Sequence, residues 1–156
     1  MRIWRVTKRR HVESAFRGEG AARREGRWHK RGSRVVYASG TLALAMLEVL
    51  VHVDRDDAPE SWVCVGAELP DDTKIEKVEK DALPRGWRTA NPYSAETQDI
   101  GARWLEGGKF AALSVPSAII PIHEEKNYLL NPDHGEMKRI EIVETAPFTF
   151  DPRLFK

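Results

Sequence analysis

The alternation of apolar and polar residues along the chain predicts short strands with a few helices between them. Five apolar runs bounded by turn residues are typical of β-strands, at residues 3–6, 34–38, 62–69, 74–79 and 110–115. Two further strands are predicted at 139–143 and 148–150, and an amphipathic helix at 94–106 that ends before Gly107-Gly108. This pattern indicates the α+β class with a mixed β-sheet.

The longest apolar run, residues 42–51, predicts a second helix that begins after a cap at Thr41 and extends to about Val53. The run is apolar on every helical face except at Glu48, which predicts a buried helix. An ionised carboxylate is costly to bury unless it is paired or hydrogen-bonded. Two interpretations therefore remain open: Glu48 acts in an active site, or it forms a structural ion pair with an upstream arginine.

Composition sets the class of protein. A chain of 156 residues, 41% of them hydrophobic, predicts one globular domain over residues 1–156. The single cysteine, Cys64, lies between Val63 and Val65, which predicts a buried thiol and suits a reducing compartment. No apolar stretch follows the N-terminus, and the run at 42–53 is too short to span a bilayer. We therefore expect a soluble, cytoplasmic protein.

Charge is unevenly distributed along the chain. The net charge is +1, but residues 1–34 hold 12 Lys and Arg against 3 acidic residues, so that this segment carries +9 and the remainder −8. A basic segment of this density predicts a polyanionic ligand, either nucleic acid or a nucleotide diphosphate. A solvated basic face is the plainer alternative.

Several common chemistries find no support in the sequence. One cysteine and five scattered histidines give no zinc-ligand spacing, so no metal site is predicted. No Gly-x-Ser-x-Gly or Walker motif is present. The Gly18-Glu19-Gly20 segment lacks the third glycine of a dinucleotide-binding fingerprint.

Four short segments place polar groups beside predicted strands or apolar residues, where sites are often built. The candidate side chains are Arg27 in Gly-Arg-Trp, Tyr37 in Val-Tyr-Ala-Ser, Ser117 in Val-Pro-Ser, and Asn127 in Asn-Tyr-Leu-Leu-Asn-Pro. Each residue alone also fits an ordinary role in a turn or in the core. Their significance depends on whether they belong together.

Taken together, these segments resemble the RES domain, the toxin half of bacterial RES–Xre toxin–antitoxin pairs. The resemblance covers residues 4–155 and includes, in order, Gly-Arg-Trp, Val-Tyr-Ala-Ser, Leu-Glu-Val-Leu-Val-His, Leu-Pro-x-Gly-Trp, Trp-Leu, Val-Pro-Ser-Ala, Asn-Tyr-Leu-Leu-Asn-Pro-x-His and Phe-Asp-Pro-Arg-Leu-Phe. Two positions depart from the family pattern: His29 stands where asparagine is expected, and residues 23–25 replace glycine.

The resemblance implies a fold similar to that of ADP-ribosyltransferase toxins and an enzyme that uses NAD as substrate. It implies an active-site set of Arg27, Tyr37, Glu48 and Ser117, with Asn127 as a polar contact at the rim. It also implies an Xre-family antitoxin with a helix-turn-helix domain as partner. The acceptor of the ADP-ribose group stays open among water, phosphate and a protein side chain.

The chemistry of these residue types agrees with that expectation. Cleavage of the nicotinamide–ribose bond leaves an oxocarbenium-like ribose, which a carboxylate such as Glu48 can stabilise. Arg27 can hold a diphosphate, Tyr37 can stack on nicotinamide, and Ser117 can hydrogen-bond the amide or the ribose. Two rivals remain: a nucleic-acid-binding or ribonuclease toxin that uses the basic segment, and an interaction module in which Glu48 is only structural.

Overall fold

The computed structural model describes residues 1–53, 61–121 and 125–155, and the strands of these segments form one mixed sheet. The strands are β1 (Arg2–Lys8), β2 (Val36–Ser39), β3 (Trp62–Glu68), β4 (Ile75–Lys77), β5 (Ala112–Pro116), β6 (Lys126–Leu130) and β7 (Glu141–Phe148). Their order across the sheet is β4-β5-β6-β2-β1-β3-β7. The β4–β5 pair is parallel and the other neighbours are antiparallel. The predicted α+β class with a mixed sheet is confirmed.

Three α-helices accompany the sheet in the described segments: α1 (Glu19–Arg23), α2 (Leu42–Leu50) and α3 (Ala95–Gly107). The predicted cap of α2 is present, since Thr41 Oγ1 accepts a hydrogen bond from the Leu44 amide at 3.2 Å. Helix α3 ends at Gly107 and is capped by Gly108, whose φ of 58° is the left-handed conformation that glycine adopts without strain. Within the described ranges, every helix is too short or too polar to cross a membrane.

Helix α2 is less buried than its sequence predicts. It packs on β1 and β2 with one side, where Leu44 and Ala45 are buried. The other helix residues are half-buried, except Ala43, which is exposed, and Val51 beyond the helix end is 58% exposed. The helix also ends at Leu50 rather than near Val53. The prediction of a buried helix was therefore wrong. A helix sequence that is apolar on every face does not by itself determine whether other elements pack on all sides of the helix.

Local patterns also missed or divided some elements. Residues 19–23 form α1, for which no helix was predicted, and β6 was not predicted as a strand. The two strands predicted at 139–143 and 148–150 are one strand, β7, which pairs with β3 from Phe148 opposite Trp62 to Glu141 opposite Glu68. Most of β7 is exposed at the sheet edge, so its sequence carries little alternation.

The two faces of the sheet carry separate clusters of buried residues. Alternate residues of β2 point to opposite faces, so that Val36 and Ala38 join one cluster, while Tyr37 packs against another beside α3 that also contains Val35. The cluster beside α3 is rich in aromatic residues, with Trp28, Trp87 and Trp104. A third cluster lies between α2 and the first residues of β3, and it includes the buried thiol predicted at Cys64.

The contact between α3 and the Trp28 backbone yields a test of the packing. A Cβ added to Gly101 would lie 1.7 Å from the carbonyl oxygen of Trp28, which is backbone that cannot move aside. We expect Gly101→Ala to lower the free energy of unfolding by about 3 kcal/mol or more. In Gly107→Ala, on the same helix, the new methyl group meets no atom within 4 Å. This control should be neutral or stabilising by up to about 1 kcal/mol. Urea denaturation of both variants measures the difference, and equal stabilities would contradict the close packing.

Candidate active site

The carboxylate of Glu48 accepts two hydrogen bonds on the same oxygen. Ser117 Oγ donates to Glu48 Oε1 at 2.8 Å, and Asn127 Nδ2 donates to the same atom at 2.6 Å. Ser117 directly follows β5 and Asn127 lies in β6, the antiparallel neighbour of β5. None of the ion pairs found among the described residues includes Glu48. The structure therefore gives no support to a structural ion pair at this position.

Both donors to Glu48 are fixed by further hydrogen bonds. Ser117 is buried, and its Oγ accepts from the amides of Ile119 at 3.0 Å and Ile120 at 3.2 Å, so its own hydrogen is directed to Glu48. Asn127 Oδ1 accepts from Ser39 Oγ at 2.7 Å, which turns the amide nitrogen toward Glu48. No described residue donates to Glu48 Oε2. This oxygen keeps its capacity to contact a ligand.

Glu48 lines a cleft of about 520 Å³ beside α2 and the middle of the sheet. Three other predicted site residues line the same cleft, namely Arg27, Tyr37 and Asn127. Ser117 does not line it and is only 1% exposed, so its contact with the cleft runs through Glu48. Further lining comes from residues that the sequence did not single out, including Trp4, Arg5, Ser39, His52 and Tyr93.

Arg27 is hydrogen-bonded in the cleft wall but forms no ion pair with a described carboxylate. Its guanidinium donates to the carbonyl oxygens of Trp87 and Thr89, the latter at 2.9 Å, and lies 5.6 Å from the centre of the Tyr93 ring. Burial lowers the pKa of Arg27 below its ordinary value, while nearby Tyr93 and Glu48 oppose that shift. Carbonyl acceptors orient the charge without cancelling it. The arrangement suits an anionic ligand.

Tyr37 is oriented by His29. The Tyr37 hydroxyl lies 2.7 Å from His29 Nδ1, while His29 Nε2 contacts the carbonyl oxygens of Ala21 at 3.0 Å and Arg24 at 2.9 Å. Carbonyls only accept, so Nε2 carries the proton and Nδ1 accepts from the tyrosine. Burial raises the pKa of Tyr37 well above its ordinary value, which keeps the hydroxyl protonated. His29, which departs from the family pattern, thus connects Tyr37 to the backbone of residues 21–24.

The glycine of the Gly-Arg-Trp motif has a steric explanation. A Cβ at Gly26 would lie 2.5 Å from His29 Cε1 and 3.1 Å from the Tyr37 hydroxyl. Buried Gln98 of α3 also donates to the Gly26 carbonyl at 3.1 Å. The loop that carries Arg27 is therefore packed tightly against β2 and α3.

Three residues that shape the site were missed in the sequence. Ser39 could have been found, because it stands two residues after Tyr37 on one strand and so shares its face of the sheet. His29 was noticed only as a departure from the family pattern. Tyr93 lies in the loop before α3, where no local signal marks it.

The basic segment is partly neutralised by distant acidic residues. Arg2 pairs with Glu68 at 2.9 Å, and Lys30 pairs with Asp99 at 2.5 Å. Arg34 pairs with an aspartate at 2.7 Å. These contacts weaken the case for a continuous nucleic-acid surface. Among the described residues, no three His, Cys, Asp or Glu side chains are grouped to hold a metal ion.

Comparison with known proteins identifies the family. The RES domain matches residues 2–151 of the chain. Over 157 residues the chain is 38% identical to Toxin Res of Photorhabdus laumondii subsp. laumondii, a match that spans 100% of this chain and 98% of that protein. Over 158 residues it is 34% identical to the Prs ADP-ribosylating toxin of Sphingobium sp. (strain YBL2), spanning 99% and 96% respectively. The chain belongs to the RES domain family.

A solved structure has a similar fold. The crystal structure of the M. tuberculosis MbcT–MbcA toxin–antitoxin complex contains a chain that matches 99% of this chain and 86% of its own length, with a TM-score of 0.69. Sequence identity is 17%, so the likeness concerns the fold alone. The RES resemblance read from the motifs is confirmed by the family match.

Removal of the Ser117 hydroxyl tests how Glu48 is held. We expect Ser117→Ala to lower the free energy of unfolding by about 1.5–3 kcal/mol, because the half-buried Glu48 carboxylate loses a donor and two amides lose their acceptor. Ser14→Ala removes only a long contact of 3.4 Å to a carbonyl and serves as the control, with a change within about 0.5 kcal/mol. Chemical denaturation gives both values. Similar losses of unfolding free energy in the two variants would mean that the hydrogen bonds of Ser117 make no specific contribution to stability.

Proposed function

We propose that this chain, as a single domain over residues 1–156, is the cytoplasmic toxin of a toxin–antitoxin pair, and that it cleaves the nicotinamide–ribose bond of NAD. One observation carries the proposal: the Glu48 carboxylate, held through Oε1 by Ser117 and Asn127, lies in the wall of a cleft that also contains the cation of Arg27. Membership of the RES family and the names of the relatives support this assignment.

The reaction needs little more than a positioned negative charge. As the bond from ribose C1′ to the nicotinamide nitrogen breaks, both bonding electrons go to nicotinamide, which leaves as a neutral molecule. The ribose acquires oxocarbenium character, and Glu48 stabilises that positive charge through the oxygen that its protein donors leave free. The apolar residues around Glu48 on α2 lower the local dielectric and strengthen this attraction.

The remaining cleft residues bind and orient the substrate. Arg27 holds the diphosphate by charge-assisted hydrogen bonds. Tyr37, with its hydroxyl engaged by His29, presents its ring to the nicotinamide. Asn127 and Ser117 act on Glu48 rather than on the substrate, because their described hydrogen bonds already end on the carboxylate. This differs from the substrate contacts expected from the sequence.

The acceptor is water, phosphate or a protein side chain. In each case the acceptor oxygen or nitrogen forms a bond to ribose C1′ and loses a proton. Water yields ADP-ribose and phosphate yields ADP-ribose 1-phosphate, while a protein acceptor becomes ADP-ribosylated. One relative is named an ADP-ribosylating toxin, which supports the third outcome. All three share the first bond cleavage, and nicotinamide release measures it.

Substitution of the carboxylate gives the most direct test. We expect Glu48→Gln to reduce the rate of nicotinamide release from NAD by about a hundredfold or more, because the charge that stabilises the ribose cation is lost. The fold should be kept, since the glutamine carbonyl oxygen still accepts from Ser117 and Asn127. Released nicotinamide is quantified by chromatography.

The matched control is Glu141→Gln, which makes the same change on exposed β7 and should leave turnover unaltered. Glu48→Gln with wild-type turnover and an unchanged melting temperature would refute the proposed role. Absence of NAD cleavage by the wild-type protein would refute the proposed function itself.

An enzyme that consumes NAD must be restrained in its own host. We propose that an Xre-family antitoxin with a helix-turn-helix domain binds this chain and blocks the cleft at Arg27 with an acidic or carboxylate-terminated segment. The structural likeness to the toxin chain of a toxin–antitoxin complex supports a partner of this kind.

Expression of the toxin alone should arrest growth, and co-expression of the open reading frame adjacent to its gene should restore it. The purified complex should release no nicotinamide from NAD, whereas the free chain should. Full activity of a stoichiometric complex would contradict occlusion of the cleft. Glu48→Gln expressed alone serves as the non-toxic control.

A further inference from the structure

Arg5, in the middle of β1, is a poorly satisfied arginine at the wall of the candidate site. One terminal nitrogen donates to the carbonyl oxygen of Tyr37. Its Nε is shielded from solvent and has no hydrogen-bond partner. The guanidinium also lies 6.0 Å from the centre of the Phe16 ring. A side chain with five N–H donors thus makes one described hydrogen bond, to a neutral group.

The charge of Arg5 is not balanced by the protein. No ion pair among the described residues includes it. Burial lowers its pKa to about 10, so the group remains cationic at neutral pH. Arg2, three residues earlier on the same strand, forms an exposed ion pair with Glu68 instead. A cation withdrawn from water without a partner costs free energy, and such groups are often retained for binding.

Two clefts converge on Arg5. The first is the cleft of Glu48, and the second, of about 380 Å³, lies beside α1. The residues that line both are Arg5, Arg24, Glu25, His29 and Tyr37. The second cleft is also lined by Arg23 and Glu19, so it carries charges of both signs. The Arg5 guanidinium therefore stands where the two clefts meet.

We propose that Arg5 binds a phosphate-type oxyanion at the junction of the two clefts. A planar guanidinium with unused donors matches the oxygens of a phosphate, and the ligand would supply the missing counter-charge. The inference rests on the proposed function, because the proposed reaction supplies two candidate ligands. They are the diphosphate of NAD, and free inorganic phosphate as the acceptor.

The test uses Arg5→Met in the full-length protein, with Arg2→Met as the matched control. Both substitutions remove one positive charge from β1, but only Arg5 lines the clefts. Isothermal titration with ADP-ribose and, separately, with inorganic phosphate measures binding without any cleavage step. We expect Arg5→Met to weaken at least one of these ligands by about tenfold or more, and Arg2→Met to change neither.

Thermal unfolding without ligand separates binding from structure. Because Arg5→Met removes a half-buried charge that no described carboxylate pairs with, its melting temperature should equal or exceed that of the wild type. A merely structural Arg5 would give the opposite pair of results, a lower melting temperature with unchanged affinities. If Arg5→Met does not fold, Arg5→Lys keeps the charge but loses the planar fork, and should still weaken the ligand.

Loss of ADP-ribose affinity alone identifies the diphosphate as the ligand, and loss of phosphate affinity alone identifies a site for the acceptor. Wild-type affinities in both arginine variants, or no binding of either ligand to the wild type, overturn the proposal. Because the readout is equilibrium binding, an Arg5-dependent result stands even if the protein proves unable to cleave NAD.

Discussion

The two hydrogen bonds that end on Glu48 Oε1 join three parts of the molecule that are separate in sequence. They attach α2 to the end of β5 and to β6, and Asn127 extends the connection through Ser39 to β2. A carboxylate on the half-open side of a helix would otherwise turn toward water, where its solvation is most favourable. Two neutral donors hold it in the cleft wall. The position of Glu48 in that wall depends on this contact.

Two of the arginines that line the cleft are also positioned by neutral hydrogen-bond partners. Arg27 donates to carbonyl oxygens and lies beside aromatic rings, while Arg5 donates to the carbonyl of Tyr37. Neither group is neutralised by a carboxylate in the described residues. The cleft thus carries side chains of both signs that form no ion pair with each other among the described residues, an arrangement that favours a ligand with complementary charges.

Much of this architecture could be predicted from local sequence. The strands β1 to β5, the cap at Thr41 and the end of α3 follow from periodicity and from turn and cap residues, which act over a few positions. Strand β6 was missed because Lys-Asn-Tyr-Leu-Leu does not alternate and is specified by its neighbours on both sides. The exposure of α2 was missed because a helix sequence does not record how many layers cover it.

The site residues were predicted as a group, whereas most of their contacts were not. Ser117 and Asn127 were expected to touch the substrate, and the structure instead places their hydrogen-bonding groups on Glu48. These are long-range relations fixed by the register of β2, β5 and β6, which no short window of sequence contains.

The spacing of these contacts along the chain also determines when the site can exist. Ser117 and Asn127 follow Glu48 by 69 and 79 residues. At a synthesis rate of about 5–20 residues per second, roughly 4–16 s separate the translation of Glu48 from that of its second donor. A nascent chain therefore cannot assemble this carboxylate site until β6 has left the ribosome, so the contact forms late in synthesis relative to α2.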